Sequence, residues 1–270
     1  MASYLQEIVA HHRHRAEADT RDVDQLVSRA LLCPAPRGFE EALVVGRTRG
    51  LGVIAEIKRR SPSKGEIAPD LDPGALAKLY TSGGAVCLSV LTDTEHFGGS
   101  EDDLRAAKQA SPLPVLRKDF TVCRADVCDA RLMGADAVLL IVAALNHEEL
   151  LELLGLAALL GLAALVEAHD EDELDRALRS GARIVGVNQR DLSTFEVDRD
   201  RAVRLARRIP PYACAVAESG IAGANDAASL GAAGYEAILV GESLLAAADH
   251  LQGVRELSGH RVAERAMVRR

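Results

Sequence analysis

The chain has 270 residues, of which 48% are apolar and 27% charged, with a formal net charge of −8 at pH 7. That length suits one α/β barrel, and the composition is that of a globular protein with ample core material. The acidic balance argues against nucleic acid as main partner, because phosphate-backbone binding needs a basic field; a small anionic substrate remains open.

Residues 1–46 stand apart. Tyr4, Leu5, Ile8 and Val9 form one apolar stripe at helical spacing, and Val23, Leu26, Val27 and Ala30 a second. Cys33-Pro-Ala-Pro36 interrupts the pattern, and Phe39–Val45 gives a further helical turn or two. The segment lacks linker composition and reads as an extension covering part of the following domain. His11-His12-Arg13-His14 reads as the solvated side of its helix.

From Gly52 a repeat begins. Eight short apolar runs are strand candidates: Gly52–Lys58, Ala85–Thr92, Pro114–Lys118, Ala135–Val142, Leu162–Glu167, Arg183–Asn188, Cys214–Ser219 and Tyr235–Gly241. They are rich in Val, Ile and Leu without strict alternation, as strands covered on both faces are. Helix-like stretches lie between them: Pro73–Ser82, Asp103–Ala110, His147–Leu160, Glu171–Ser180, Asp198–Arg208, Ala224–Leu230 and Ser243–Leu251. Gly84, Gly134, Gly161, Gly181 and Gly234 each precede a strand, where a left-handed glycine ends a helix. Eight strand–helix units predict a parallel (β/α)8 TIM barrel over 52–254, in one domain spanning 1–270 with 1–46 as its helical extension. Arg261–Arg270 reads as a frayed basic tail.

Five cysteines (Cys33, Cys87, Cys123, Cys128 and Cys214) form no C-x-x-C pair and read as reduced thiols of a cytoplasmic protein. The apolar run Leu150–Val166 is broken by Glu152, Gly155 and Gly161 and is too short to span a membrane, and no signal-peptide pattern opens the chain. No H-E-x-x-H, P-loop or G-x-G-x-x-G motif occurs, so neither a metal nor a cofactor is expected.

Parallel barrel strands aim their C-terminal ends at one face. Glu56, Lys58, Lys118, Glu167, Asn188, Glu218 and Ser219 should therefore converge there as an acid/base site. Glu56 and Lys58 are two apart and share a strand face; an internal ion pair is the alternative. Ser61-Pro-Ser-Lys-Gly65 is a polar loop suited to a lid or an anion contact. Lys118 could lose solvent, shift its pKa and protonate a substrate oxygen. Burial of Glu167 should raise its pKa and make it a proton acceptor. Asn188 is a neutral orienting group. Gly220 and Gly241 follow strands seven and eight, where backbone N–H groups bind phosphate, and Glu242 and Ser243 supply further amides.

Ile54-Ala-Glu-Ile-Lys-Arg-Arg-Ser-Pro-Ser-Lys-Gly65, Val115-Leu-Arg-Lys-Asp-Phe120, Leu165-Val-Glu167, Gly186-Val-Asn188, Arg190-Asp-Leu192, Ala217-Glu-Ser-Gly-Ile221 and Val240-Gly-Glu242 resemble the indole-3-glycerol-phosphate synthase family. The likeness runs from the extension to the last helix. It implies a carboxy-lyase of tryptophan biosynthesis, a (β/α)8 barrel with a helical segment over its mouth. The implied substrate is 1-(2-carboxyphenylamino)-1-deoxyribulose 5-phosphate, which closes to an indole with loss of carbon dioxide and water.

The resemblance also implies roles. Lys118 would be the general acid and Glu167 the general base, with Asn188 beside it. Lys58 would hold the substrate carboxylate and donate a proton in dehydration, within a polar shell of Glu56, Glu218 and Ser219. Ser61, Gly220, Gly241 and Glu242 fall at phosphate-loop positions, with Arg190 and Ser243 as further substrate contacts. Phe97, Phe120, Leu139, Ile141 and Leu192 would wall the aromatic ring. After Phe120 the chain departs from the family, reading Thr121-Val-Cys-Arg-Ala-Asp126. That leaves open a paralogue with altered substrate tolerance in a specialised indole pathway. A related isomerase would need a cysteine base at the first strand end, where this chain has Glu-Ile-Lys. A non-catalytic phosphate-binding barrel should have lost Lys58, Lys118 or Glu167, and all three are present. The expected partner is a small sugar phosphate, with no nucleic acid or membrane, and the chain is expected to be a monomer or weak dimer.

Overall fold

The computed structural model describes residues 4–62, 64–191 and 194–265. Eight strands close a barrel: β1 (Gly52–Ile57), β2 (Cys87–Leu91), β3 (Val115–Lys118), β4 (Ala137–Ile141), β5 (Ala163–Ala168), β6 (Ile184–Asn188), β7 (Cys214–Glu218) and β8 (Ala237–Val240). Each pairs in parallel with its chain neighbours, and β8 closes onto β1. Strands buried on both faces explain the Val/Ile/Leu-rich runs. The five glycines before strands hold φ values of 73° to 98°, which the left-handed turn from helix to strand requires.

Helices differ from expectation in three places. The β3–β4 connection is helical over Arg124–Met133, a stretch whose mixed charges conceal its apolar face. Asp198–Arg208 contains only one short helix, Arg201–Leu205, followed by a 3-10 turn. Beyond β8 two helices occur, Glu242–Ala246 and His250–Leu257. Between them Ala247 is extended, and Asp249 caps the second by accepting from the backbone N–H of Gln252.

The N-terminal extension reaches both ends of the barrel. Its helices are α1 (Tyr4–Glu17), α2 (Val23–Leu31) and α3 (Phe39–Arg47). α1 lies at the mouth formed by the strand C-termini, while α3 packs against the opposite end through buried Phe39 and Leu43. Polar fastenings hold the turn between them. The Arg37 guanidinium donates to the carbonyls of Lys108, Ser111 and Leu113, and the buried Asp136 carboxylate accepts from Arg37 N at 2.6 Å and Val115 N at 2.7 Å. Such buried carboxylates are tolerated only when fully paired.

Two readings of the sequence need correction. Residues 261–265 are docked: Arg265 pairs with buried Glu236 at 2.6 Å and donates to the carbonyls of Ala213 and Gly234. His12 is fully buried rather than solvated, because the face of α1 that carries Ile8 also carries His12 and turns toward the barrel. No helix among the described residues is long and apolar enough to cross a membrane. The five cysteines are free thiols, two of them (Cys87 and Cys128) buried.

Candidate active site

Strand register assembles the mouth. Across β5 and β6, Glu167 lies beside Gly186, and across β6 and β7, Asn188 lies beside Glu218. A Cβ on Gly186 would fall 2.1 Å from Glu218 Oε1, and one on Gly241 would fall 2.5 Å from Glu56 Oε1. The missing side chains make room for two buried carboxylates.

Lys118 sits at the centre. Its Nζ stands 2.8 Å from Glu167 Oε2 and 3.0 Å from Glu218 Oε2. Asn188 Nδ2 donates to Glu167 Oε1 at 3.1 Å, and Lys58 Nζ meets Glu56 Oε1 at 2.7 Å. All three glutamates are nearly inaccessible to solvent.

Burial alone would lower the pKa of Lys118, but Glu167, Glu218 and Glu56 outweigh it and the ammonium is stabilised. Burial would likewise raise Glu167, yet Lys118 and His169 hold it below the ordinary carboxylate range. Expectation and structure part here, since burial predicts the opposite direction for Glu167. Glu218 is the carboxyl that rises: burial and its neighbour Glu167 outweigh the attraction of Lys118. Two coupled carboxylates thus divide into an ionised one and a proton holder.

His169 escaped the sequence reading. It lies two residues beyond Glu167, just past the end of β5, so its i+2 spacing was the available signal. Its Nε2 stands 3.3 Å from Glu167 Oε1 and its Nδ1 3.0 Å from Glu173 Oε2. Burial lowers its pKa, but the two glutamates outweigh this and raise it from 6.5 to about 10. A folded-state pKa above the unfolded one gives stability that is complete below pH 6.5 and is lost as pH rises through about 10. The difference in urea-unfolding free energy between wild type and His169→Gln should therefore shrink steadily across that window. A pH-independent difference would contradict the charged pairing.

Of the other sequence candidates, Ser61, Phe97, Phe120, Leu139, Ile141, Arg190, Ser219, Gly220, Gly241 and Glu242 line the same cleft. The Ser243 hydroxyl turns aside and donates to Ile221 O at 2.8 Å, leaving its backbone amide at the start of the helix Glu242–Ala246. Leu192 lies outside the described residues. Glu242 meets Arg190 at 3.3 Å and Lys64 at 3.2 Å, and so links the loops after β1, β6 and β8. The loop after β1 contains a small antiparallel hairpin, Arg60–Ser61 with Gly65–Glu66. Ser219 and Gly220 have φ of 64° and 70°; in a non-glycine residue such a backbone is strained, and here it accompanies a functional turn.

The lining also includes Tyr4, Leu5 and Ile8 of α1 and Phe195. Tyr4 meets Phe195 edge-on, ring centroids 5.0 Å apart. Only four phenylalanines occur in the chain, and three of them (Phe97, Phe120 and Phe195) face this cleft. One side is thus aromatic and aliphatic, the other is rich in backbone amides, and acid/base groups lie between. Such a cleft suits a substrate with an aromatic end and an anionic end.

Comparison with known proteins agrees. The solved structures of thiamine phosphate pyrophosphorylase from Pyrococcus furiosus and (S)-3-O-geranylgeranylglyceryl phosphate synthase from Thermoplasma acidophilum share the fold, with TM-scores of 0.59 and 0.57 at 16% and 15% identity. The first match covers 78% of this chain and 96% of the other; the second covers 82% and 97%. Indole-3-glycerol phosphate synthase of Mycobacterium ulcerans (strain Agy99) is 45% identical over 247 residues, 90% of each chain. That of Parafrankia sp. (strain EAN1pec) is 51% identical over 224 residues, 83% of this chain and 82% of the relative. The family model for indole-3-glycerol phosphate synthase matches residues 5–257, and the chain belongs to that family.

Proposed function

We infer that this chain converts 1-(2-carboxyphenylamino)-1-deoxyribulose 5-phosphate into indole-3-glycerol phosphate, carbon dioxide and water, as a carboxy-lyase of tryptophan biosynthesis. The observation that carries this reading is Lys118, an ammonium held between two buried carboxylates at a cleft with aromatic and amide-rich sides.

The sugar phosphate sits against the backbone N–H groups of Gly220, Gly241, Glu242 and Ser243, with Ser61 and Arg190 nearby. The aryl ring lies against Phe97, Phe120, Leu139 and Ile141. The carbon that bears the carboxylate attacks the ribulose carbonyl while Lys118 protonates the carbonyl oxygen to a hydroxyl. Lys58 holds the substrate carboxylate until carbon dioxide leaves and aromaticity returns. Glu167, oriented by Asn188, then takes a proton from the adjacent methylene carbon, and the hydroxyl leaves as water with a proton from Lys58. Glu56, Glu218 and Ser219 complete the polar shell, where Glu218 holds the proton that lets three carboxylates share the pocket.

The ring pocket supports the family substrate rather than an altered one. No residue of the divergent segment Thr121–Asp126 is among those that line the cleft. We place the reaction in the cytoplasm, carried out by a monomer on a small sugar phosphate, without nucleic acid or membrane. The test is incubation of the purified chain with the carboxyphenylamino sugar phosphate. Indole fluorescence should rise in step with carbon dioxide release, and absence of both would overturn the assignment.

A further inference from the structure

A second cluster of ligating side chains adjoins the cleft, whose wall includes its Asp93, and the steps proposed above do not use it. His12 Nε2 stands 2.8 Å from Asp93 Oδ2, and His96 Nδ1 stands 3.2 Å from the same oxygen. One ligand atom from each of the three residues fits within a 4.8 Å span. His12 comes from α1, whereas Asp93 and His96 belong to the loop after β2.

Three features make the cluster unlike an ordinary hydrogen-bonded contact. Asp93 is almost fully buried; its Oδ1 caps the helix Thr94–Phe97 by accepting from His96 N and Phe97 N, while among the described residues no lysine or arginine lies within ion-pair distance of it. A second buried carboxylate, Asp119, reaches to 4.0 Å of His12 Nε2, its charge already met by Arg117 at 2.8 Å. His12 is completely buried while its Nδ1 has no partner among the described residues, so the ring is fixed only through the nitrogen that faces Asp93. A third imidazole stands at the rim: the His11 ring centroid is 5.5 Å from both His12 and His96.

We propose that His12, Asp93 and His96 form a binding site for a zinc-class divalent cation that fastens α1 to the barrel. Two imidazole nitrogens and one carboxylate oxygen are a zinc donor set, whereas magnesium and calcium favour oxygen alone. Bond lengths of about 2.0–2.2 Å place tetrahedral ligand atoms roughly 3.3 Å apart, close to the spacings already present. The fourth position falls to His11 or water. α1 carries Tyr4, Leu5 and Ile8 into the active-site cleft, so the bound cation would hold one wall of that cleft in place.

Cobalt(II) serves as a spectroscopic probe on the full chain after treatment with a chelator. One cobalt per chain is expected, with visible absorption of a low-coordinate imidazole site, bleached by equimolar zinc and unaffected by magnesium. Loss of outer-shell groups alone weakens metal sites about 10–100-fold. Loss of a direct ligand in His96→Gln should therefore weaken binding by at least about 100-fold, and His12→Gln should do the same. His96 sits half-buried on a four-residue helix, so its variant keeps the test alive if His12→Gln does not fold. Zinc should also slow proteolysis within α1 in the wild type but not in His96→Gln. No stoichiometric uptake, or equal uptake and spectrum in His96→Gln through cysteine ligation, would overturn the site.

Discussion

Replacing Lys118 by methionine is expected to lower turnover by about 10²–10⁴-fold, the usual contribution of a positioned proton donor. The aliphatic stem keeps its packing, so the change isolates the ammonium. Two buried carboxylates, Glu167 and Glu218, then lose their shared cation. Outright loss of a buried partner typically costs about 3–5 kcal/mol. The cost here should be smaller, because Glu218 already favours its protonated form and His169 still faces Glu167. Circular dichroism should show a folded barrel, while substrate consumption, carbon dioxide release and indole formation fall together. Residual activity within tenfold of wild type would remove Lys118 from the acid's role.

Glu167→Gln is expected to cost a comparable factor, about 10²–10⁴-fold in indole formation, but with a different pattern. The amide keeps the shape and the contact with Asn188 while losing the ability to accept a proton. Ring closure and decarboxylation depend on Lys118 and should continue for one turnover; dehydration should stall. Rapid mixing of substrate with the variant should thus release a burst of carbon dioxide without matching indole fluorescence. Parallel loss of both signals would place Glu167 in the first step instead of the last.

Strand periodicity made the barrel legible, since runs buried on two faces followed by amphipathic stretches have few other solutions. It also made most of the mouth legible. A polar residue that ends an apolar strand has one place to go, and Glu56, Lys118, Glu167, Asn188 and Glu218 went there. The same logic overlooked His169, which meets Glu167 from just past the end of the apolar run. It misjudged His12 as well, because neighbouring histidines and arginine disguised the buried side of α1.

Sequence by itself determined the repeat, the strand ends and the residue types at the mouth, because each depends on local period and composition. Only tertiary structure decided which glutamate stays ionised. Glu167 and Glu218 are alike in sequence, each closing an apolar strand, and burial pushes both toward the neutral form. Of the two, Glu167 is the one that pairs with His169 and accepts the Asn188 hydrogen bond, and the Coulomb energy of a nearby charge depends on distances that no local pattern encodes.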